Sequence, residues 1–229
     1  HFAPTAAAAA HLVAEGVARE RIHVVGNTVI DALSTTLART QAPPRPFAGD
    51  AYVLVTCHRR ESFGAPLLRL FAAVRAFAER HPSTTIWFPV HPNPAVEAQA
   101  RASLAGLANV VLSAPLDYVA FAHALAGARV VLTDSGGVQE EAPALGVPVL
   151  VARDTTERPE GVAYGTSLLV GTETGRVLAA LERVVFDDDA HAAMVHRPGP
   201  FGDGRAALRI VDVLEGRAPA PFVTPTRDA

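Results

Sequence analysis

The 229 residues carry 49% hydrophobic and 19% charged side chains with a net charge of -3. That is enough apolar material for one large domain, or one domain with pieces of a second, and too little positive charge for a non-specific nucleic-acid or anionic-membrane binder. The single cysteine, Cys57, excludes an internal disulfide and a multi-cysteine zinc site and points to a reducing, cytosolic setting.

No apolar run is long enough to span a bilayer, and the first residues are not a secretory signal. All 20 basic residues are Arg, which together with the abundant Ala reads as the coding bias of a GC-rich genome. The chain begins at His1 rather than Met, so it reads as processed or as starting partway through a longer protein.

In chain order, Pro4 to Glu15 predicts a helix, started by Pro4 and Thr5 and ended by Gly16. Residues 22 to 26 predict a strand, and Asn27 to Arg39 a helix entered through Asn27 and Thr28. Gln41 to Asp50, with Pro43, Pro44, Pro46 and Gly49, has the composition of a linker, which sets a boundary near residue 45. Beyond it, strands alternate with helices. Tyr52 to Thr56 is followed by a helix over Pro66 to Arg80 whose apolar residues Leu67, Leu70, Phe71, Val74, Phe77 and Ala78 share one face. Thr85 to Val90, Val110 to Leu112, Val130 to Thr133, Val147 to Val151 and Ser167 to Val170 predict strands. Ala95 to Leu107, Tyr118 to Ala126 and Thr174 to Phe186 predict helices. Such alternation implies a parallel sheet covered on both faces, with ligands at the carboxyl ends of the strands.

The stretch from 130 to 151 reads as a buried strand, a turn at Asp134-Ser135-Gly136-Gly137, a short helix and a second strand. Its turn aims backbone N–H groups and a helix dipole at one spot, which suits a phosphate. The same residues also make a tight turn with a helix cap, and the two readings coexist. Three further polar clusters follow strands: Cys57 to Ser62, His91 to Pro94, and Arg153 to Glu160. All four are expected on one rim. Taken alone, His58 is a surface histidine before a helix; beside Arg59 and Arg60 at a strand end it favours anion binding. One of Glu140 and Glu141 is placed to accept both hydroxyls of a ribose. Phe121 is by pattern a core residue with base stacking as a second role, Arg158 has acidic neighbours for a local ion pair, and Cys57 is a small buried apolar residue. There is no phosphate loop ending in Gly-Lys-Ser/Thr, no dinucleotide glycine fingerprint and no Cys/His spacing for a metal, so no metal or cofactor is implied. Residues alone therefore indicate an α/β domain that binds a nucleotide or nucleotide sugar.

HRRESFG at 58–64, HPNPAV at 91–96, TDSGGVQEEAPALGVPVLV at 133–151, RDTTERPEGV at 153–162 and FGDGRA at 201–206, with HFAPT at 1–5 and VVGNTVID at 24–31, closely resemble the non-hydrolysing UDP-N-acetylglucosamine 2-epimerases. The resemblance runs to about residue 215. It implies two facing Rossmann-like domains in the GT-B arrangement, of which this chain looks like the carboxyl-terminal part. Residues 1–44 would be the end of the first domain plus linker, 45–200 the nucleotide-binding Rossmann-like domain, 201–216 a crossover helix and 217–229 a loose tail.

The implied reaction interconverts UDP-N-acetylglucosamine and UDP-N-acetylmannosamine through elimination of UDP to 2-acetamidoglucal and its re-addition, as in cell-envelope polysaccharide synthesis. His58 would contact the diphosphate and assist loss and return of UDP. Ser135 and the amides of Gly136 and Gly137 would hold phosphate, Glu141 the ribose, Phe121 the uracil region, and Arg158 the nucleotide or the closed cleft. Arg59 and His91 match positions associated with a second, regulatory UDP-sugar. The family's acid/base carboxylates lie upstream of HFAPT, so the missing amino-terminal half is an implied partner, with a homodimer as the complete assembly. Departures from the pattern are Cys57, where Gly or Ala is frequent, and HRPGPFGDG before the last helix. A hydrolysing epimerase, a GT-B glycosyltransferase and a non-catalytic UDP-sugar module are the rival readings.

Overall fold

The computed structural model of the chain describes residues 1–59, 64–195 and 199–223. Its centre is a six-stranded, all-parallel sheet: β3 (Tyr52–Thr56), β4 (Thr85–Pro89), β5 (Val110–Ser113), β6 (Val130–Thr133), β7 (Val149–Val151) and β8 (Ser167–Leu169), ordered β5-β4-β3-β6-β7-β8. The chain lays down β3, β4 and β5 in one direction, then returns to place β6 on the other side of β3. The loops leaving β3 and β6 therefore diverge, opening a crevice at the switch point of the sheet.

Strand alternation builds a core on each face. Val53, Val55, Ile86, Phe88, Val130 and Leu132 meet α3 (Ala65–Arg80), α4 (Pro94–Leu104) and α8 (Thr174–Phe186), whereas Tyr52, Leu54, Trp87, Val131 and Val149 meet α5 (Tyr118–Ala126) and α6 (Gly136–Ala144). The period of two that separates Val53 and Val55 from Tyr52 and Leu54 is the pleat of the strand. Burial on both faces explains why these strands read as apolar runs.

Before this sheet lies a separate two-stranded parallel pair, β1 (Phe2–Ala3) and β2 (His23–Val24), flanked by α1 (Ala6–Ala14) and followed by α2 (Thr28–Arg39). Thr5 caps α1 and Asn27 caps α2, each accepting a hydrogen bond from a first-turn amide at 3.1 Å. Residues 41–51 carry no regular structure. The stretch is nonetheless held: Phe47 meets Tyr52 and Trp87 edge-on, and the Arg45 guanidinium lies over Phe47 and Tyr52.

The final helix, α10 (Ala206–Leu214), returns to pack on α2. Asp31 of α2 accepts the amides of Ala206 and Ala207 at 3.1 and 2.8 Å, so a side chain of one helix caps the other. Arg209 is 4% exposed and forms a fork to Asp203 with both bonds at 2.7 Å, donates to the Val25 and Ala220 carbonyls, and lies over the Phe222 ring. These bonds hold the Asp203 carboxyl below its ordinary range despite the opposing effect of burial. Close approach at this crossover favours glycine: a Cβ on Gly202 would sit 3.1 Å from Ile30 and 3.3 Å from the Asn27 carbonyl, so these neighbours would have to give by a few tenths of an ångström.

Two expectations change and one helix is new. Pro159–Tyr164 is a helix, α7, inside what reads as a polar loop: Pro159 opens it as an N1 residue and Gly165, at φ 88°, closes it. Asp188–Ala192 forms a further short helix, α9, capped by Asp187. The segment expected to be loose after Gly216 is tied down as far as Phe222 by Arg209; residues 224–229 lie outside the described part.

Arg209→Leu is expected to lower unfolding stability by about 3 kcal/mol, because it breaks a buried ion pair and strips two carbonyls of their donor. Urea denaturation against wild type measures it; a change under about 0.5 kcal/mol, the range of neutral surface changes, would remove Arg209 as the anchor of α10.

Candidate functional site

Four polar segments leave the carboxyl ends of β3, β4, β6 and β7, on one rim of the sheet as expected from their order. Arg60, Glu61 and Ser62 lie outside the described residues. Asp134, the first residue after β6, is fully buried and takes the lead in arranging the others. Its carboxylate accepts the backbone amides of His58, at 3.1 Å to each oxygen, and of Arg59 at 3.0 Å. One loop is thus fastened to the next strand by a buried charge with its hydrogen bonds made. Below it, the Thr56 and Thr133 hydroxyls bond at 2.6 Å, and Thr133 also accepts the Ser135 amide at 3.0 Å.

This fastening sets one wall of a cavity of about 230 Å³ lined by Cys57, His58, His91, Leu116, Phe121 and Ser135, among others. His58 and His91 stack with ring centroids 5.8 Å apart and planes 23° from parallel. His58, Phe121 and Ser135, singled out from separate parts of the sequence, therefore face one space. Cys57 is wholly buried there, and burial, with the Asp134 carboxylate adding to it, pushes its thiol well up from the ordinary range. It is a packing residue.

Ser135 precedes α6 without making a side-chain cap bond, which corrects the expectation of a capping hydroxyl. Its carbonyl is held by the buried Gln139 side chain at 3.1 Å, and Gln139 in turn accepts from Thr156 at 2.6 Å. α6 starts directly after the cavity residue Ser135, and its first residues, Gly136 and Gly137, carry no side chains over the amides of that turn. A Cβ at 136 would lie 2.8 Å from Glu157 Oε1 and 3.3 Å from Arg59 Nη2, so the ends of those two side chains would have to shift to admit one. Arg59 and Arg153 both bind Glu157 above that turn. Burial alone would raise the Glu157 carboxyl, but hydrogen bonds from its own backbone amide, Arg153 and Arg59 hold it at about 2, so it stays ionised.

The Glu140 and Glu141 pair divides its labour. Glu140 is buried and accepts from Asn27 of the first segment and from Arg158, its two oxygens taking one donor each. Arg158 accordingly pairs with Glu140 across the fold and donates to the Glu157 carbonyl, rather than pairing with the acidic side chains beside it in sequence. Glu141 is partly buried, lies near Tyr118, and has its carboxyl raised to about 7 by burial and then by the Glu140 charge. Neither Glu141 nor Arg158 lines the cavity; they stand on its α6–α7 side. Asp134, Asn27, Gln139 and Glu157 each take a partner distant in sequence that local pattern does not reveal, although the TDSGG string already placed Asp134 at the strand end.

The family model described as UDP-N-acetylglucosamine 2-epimerase matches residues 1–215. A UDP-N-acetylglucosamine 2-epimerase of Yersinia pestis is 44% identical over 226 residues, covering 94% of this chain and 60% of its own length. Among solved structures, a Staphylococcus aureus protein determined with UDP is 37% identical with a TM-score of 0.88, over 97% of this chain and 63% of that one. A UDP-GlcNAc 2-epimerase of Neisseria meningitidis bound to UDP-GlcNAc is 35% identical with a TM-score of 0.87, over 95% of this chain and 61% of that one. The chain thus spans about 60% of the relatives it matches, and its parallel sheet is the carboxyl-terminal portion of a GT-B fold.

Because Glu141 moves from 4.5 to about 7 on folding, the folded chain holds an extra proton between those values. The associated stability is complete at acid pH and is lost as pH rises through about 7. Unfolding midpoints of wild type should therefore fall relative to Glu141→Gln between pH of about 5 and about 8. Parallel curves would show that the carboxyl is not raised.

Proposed function

The chain belongs to the UDP-N-acetylglucosamine 2-epimerase family, and on that premise we propose that it forms the UDP-binding part of an enzyme interconverting UDP-N-acetylglucosamine and UDP-N-acetylmannosamine. One observation carries the assignment to this part of the molecule. A single cavity at the switch point brings together an imidazole, a serine hydroxyl, an aromatic ring and the start of a helix whose first residues are glycines.

In the proposed reaction a base removes the proton at sugar carbon 2, its electrons form the C1–C2 double bond, and the pair of the C1–O bond leaves on the diphosphate. Re-addition of UDP and protonation from the other face complete the inversion. The proton is weakly acidic, so the departing charge needs stabilising. His58, Ser135 and the amides of Gly136 and Gly137 meet that need, with His58 both donor to the diphosphate and proton carrier. Phe121 takes the uracil region and ionised Glu141 accepts the ribose hydroxyls; two such donors favour its charged form, offsetting the burial that raises it.

Arg158 is committed to Glu140, which also holds Asn27. That favours a role in holding the first segment against the nucleotide domain over direct contact with the nucleotide. His91 stacks on His58 and Arg59 lies over the phosphate turn, at the edge where a second, regulatory UDP-sugar would sit. The base at carbon 2 comes from a segment beyond this chain, completed by an amino-terminal half and a homodimer.

Calorimetric titration of the 229-residue chain with UDP should show binding, with His58→Ala and Ser135→Ala weakened about 10-fold or more, the scale of a charge-assisted hydrogen bond. Absence of heat with wild type sinks the reading. Incubated with UDP-N-acetylglucosamine, the same chain should form no UDP-N-acetylmannosamine or free sugar, whereas a full-length relative does. Turnover by the isolated chain would place the base within it.

A further inference from the structure

We infer that Asp134 is a positioning residue for His58: it holds the imidazole proton on Nδ1 and turns Nε2 toward the diphosphate. The inference rests on the reading of the cavity as a nucleotide site. Fastening the 57–59 loop requires only that the carboxylate accept backbone amides, which it does at 3.0 and 3.1 Å. Yet the ring also returns to the same group, with Nδ1 3.4 Å from Oδ1. That is longer than a close N–H···O bond and within reach of a charged contact. Asp134 is fully buried while the His58 side chain is 40% exposed, so the ring spans the distance from a dry carboxylate to the open cavity.

An ionised carboxylate can only accept, so the ring nitrogen facing it carries the proton. Nε2, on the opposite side of the ring, is then a base when the imidazole is neutral and a donor when it is charged. The neighbouring ring provides the contrast. His91 Nδ1 accepts the Asn93 amide at 3.2 Å, which puts its proton on Nε2. Two stacked imidazoles therefore hold opposite tautomers.

Among the described residues, the charges around His58 are Asp134 just after β6, His91 from the loop after β4, and the adjoining Arg59, whose guanidinium is matched by Glu157 from the segment after β7; Arg153 binds Glu157 as well. Among the described residues, Asp134 is thus the negative charge set directly against the ring. In the proposed elimination, the proton on Nε2 of the imidazolium passes to the phosphate oxygen as that oxygen receives the C1–O electron pair. It returns to Nε2 on re-addition. Asp134 acts only through the ring.

Long-range proton–nitrogen NMR of the nitrogen-labelled, ligand-free chain reads the tautomer directly, at a pH where imidazoles are neutral. The chain has 9 histidines, and the His58 signals are identified by their loss in His58→Gln. The expected result is a proton on Nδ1 of His58 and on Nε2 of His91. In Asp134→Asn, the side-chain oxygen satisfies the backbone amides and its NH2 faces the ring, so the His58 proton should move to Nε2. A wild-type His58 protonated on Nε2 overturns the inference, as does an Nδ1 proton that persists in Asp134→Asn. If that variant does not fold, the wild-type tautomer decides alone. Because no ligand is present, failure here is distinct from failure to bind UDP, which the titration of wild type reports.

Discussion

The buried carboxylate of Asp134 is the constraint from which the site follows. Adjacent strands of a parallel sheet are joined by backbone bonds, but nothing in that ladder controls the loops that leave their ends. At the switch point the loops after β3 and β6 have no reason to keep company, since the chain between them passes through two further strands and three helices. A dry carboxylate left with unfilled acceptors would be costly, and the amides of His58 and Arg59 answer it. Satisfying one buried charge therefore brings the histidine loop against the phosphate turn.

Carboxylates meeting helix caps do comparable work at the joint between the two sheets. Thr5 caps α1 with its oxygen and gives its hydroxyl proton to Glu160 at 2.6 Å, and Asn27 caps α2 with its oxygen and gives its amide to Glu140. Each cap thus uses its acceptor locally and its donor across the fold. Asp31 reverses the pattern by lending an acceptor to the start of α10. The joint therefore adds directional polar bonds, with Arg209 as their buried cation, to the buried apolar side chains of Ile30, Leu33 and Phe201. Oriented bonds of this kind hold the pieces of the joint in register.

The elements read from periodicity and punctuation correspond closely to those formed. The strands Tyr52–Thr56 and Val130–Thr133 and the helices Tyr118–Ala126 and Thr174–Phe186 appear with the expected bounds, because long apolar runs and capping residues are local signals that burial reinforces. The misses are short: β1 has 2 residues, and α7 and α9 have 6 and 5, too few for a periodic pattern, and only Pro159 and Asp187 hint at the two helices. In the site, His58, Phe121 and Ser135 were legible because each lies just beyond a strand or on a helix at the same rim. Their shared cavity is what the parallel topology adds.

By itself the amino-acid order determined the alternation of strands and helices, the parallel sheet, the rim on which polar residues gather, and, through its motifs, the family. Those properties depend on contacts between near neighbours and on the arithmetic of burial. It did not determine which of two adjacent glutamates is consumed by the scaffold, that Arg158 reaches past its own acidic neighbours to Glu140, or that Asp134 seats the His58 loop. Each of these is a competition among several charged groups of the same kind, decided by which one the packed backbone brings within about 3 Å of a partner, the reach of a hydrogen bond. Only the folded chain sets that distance.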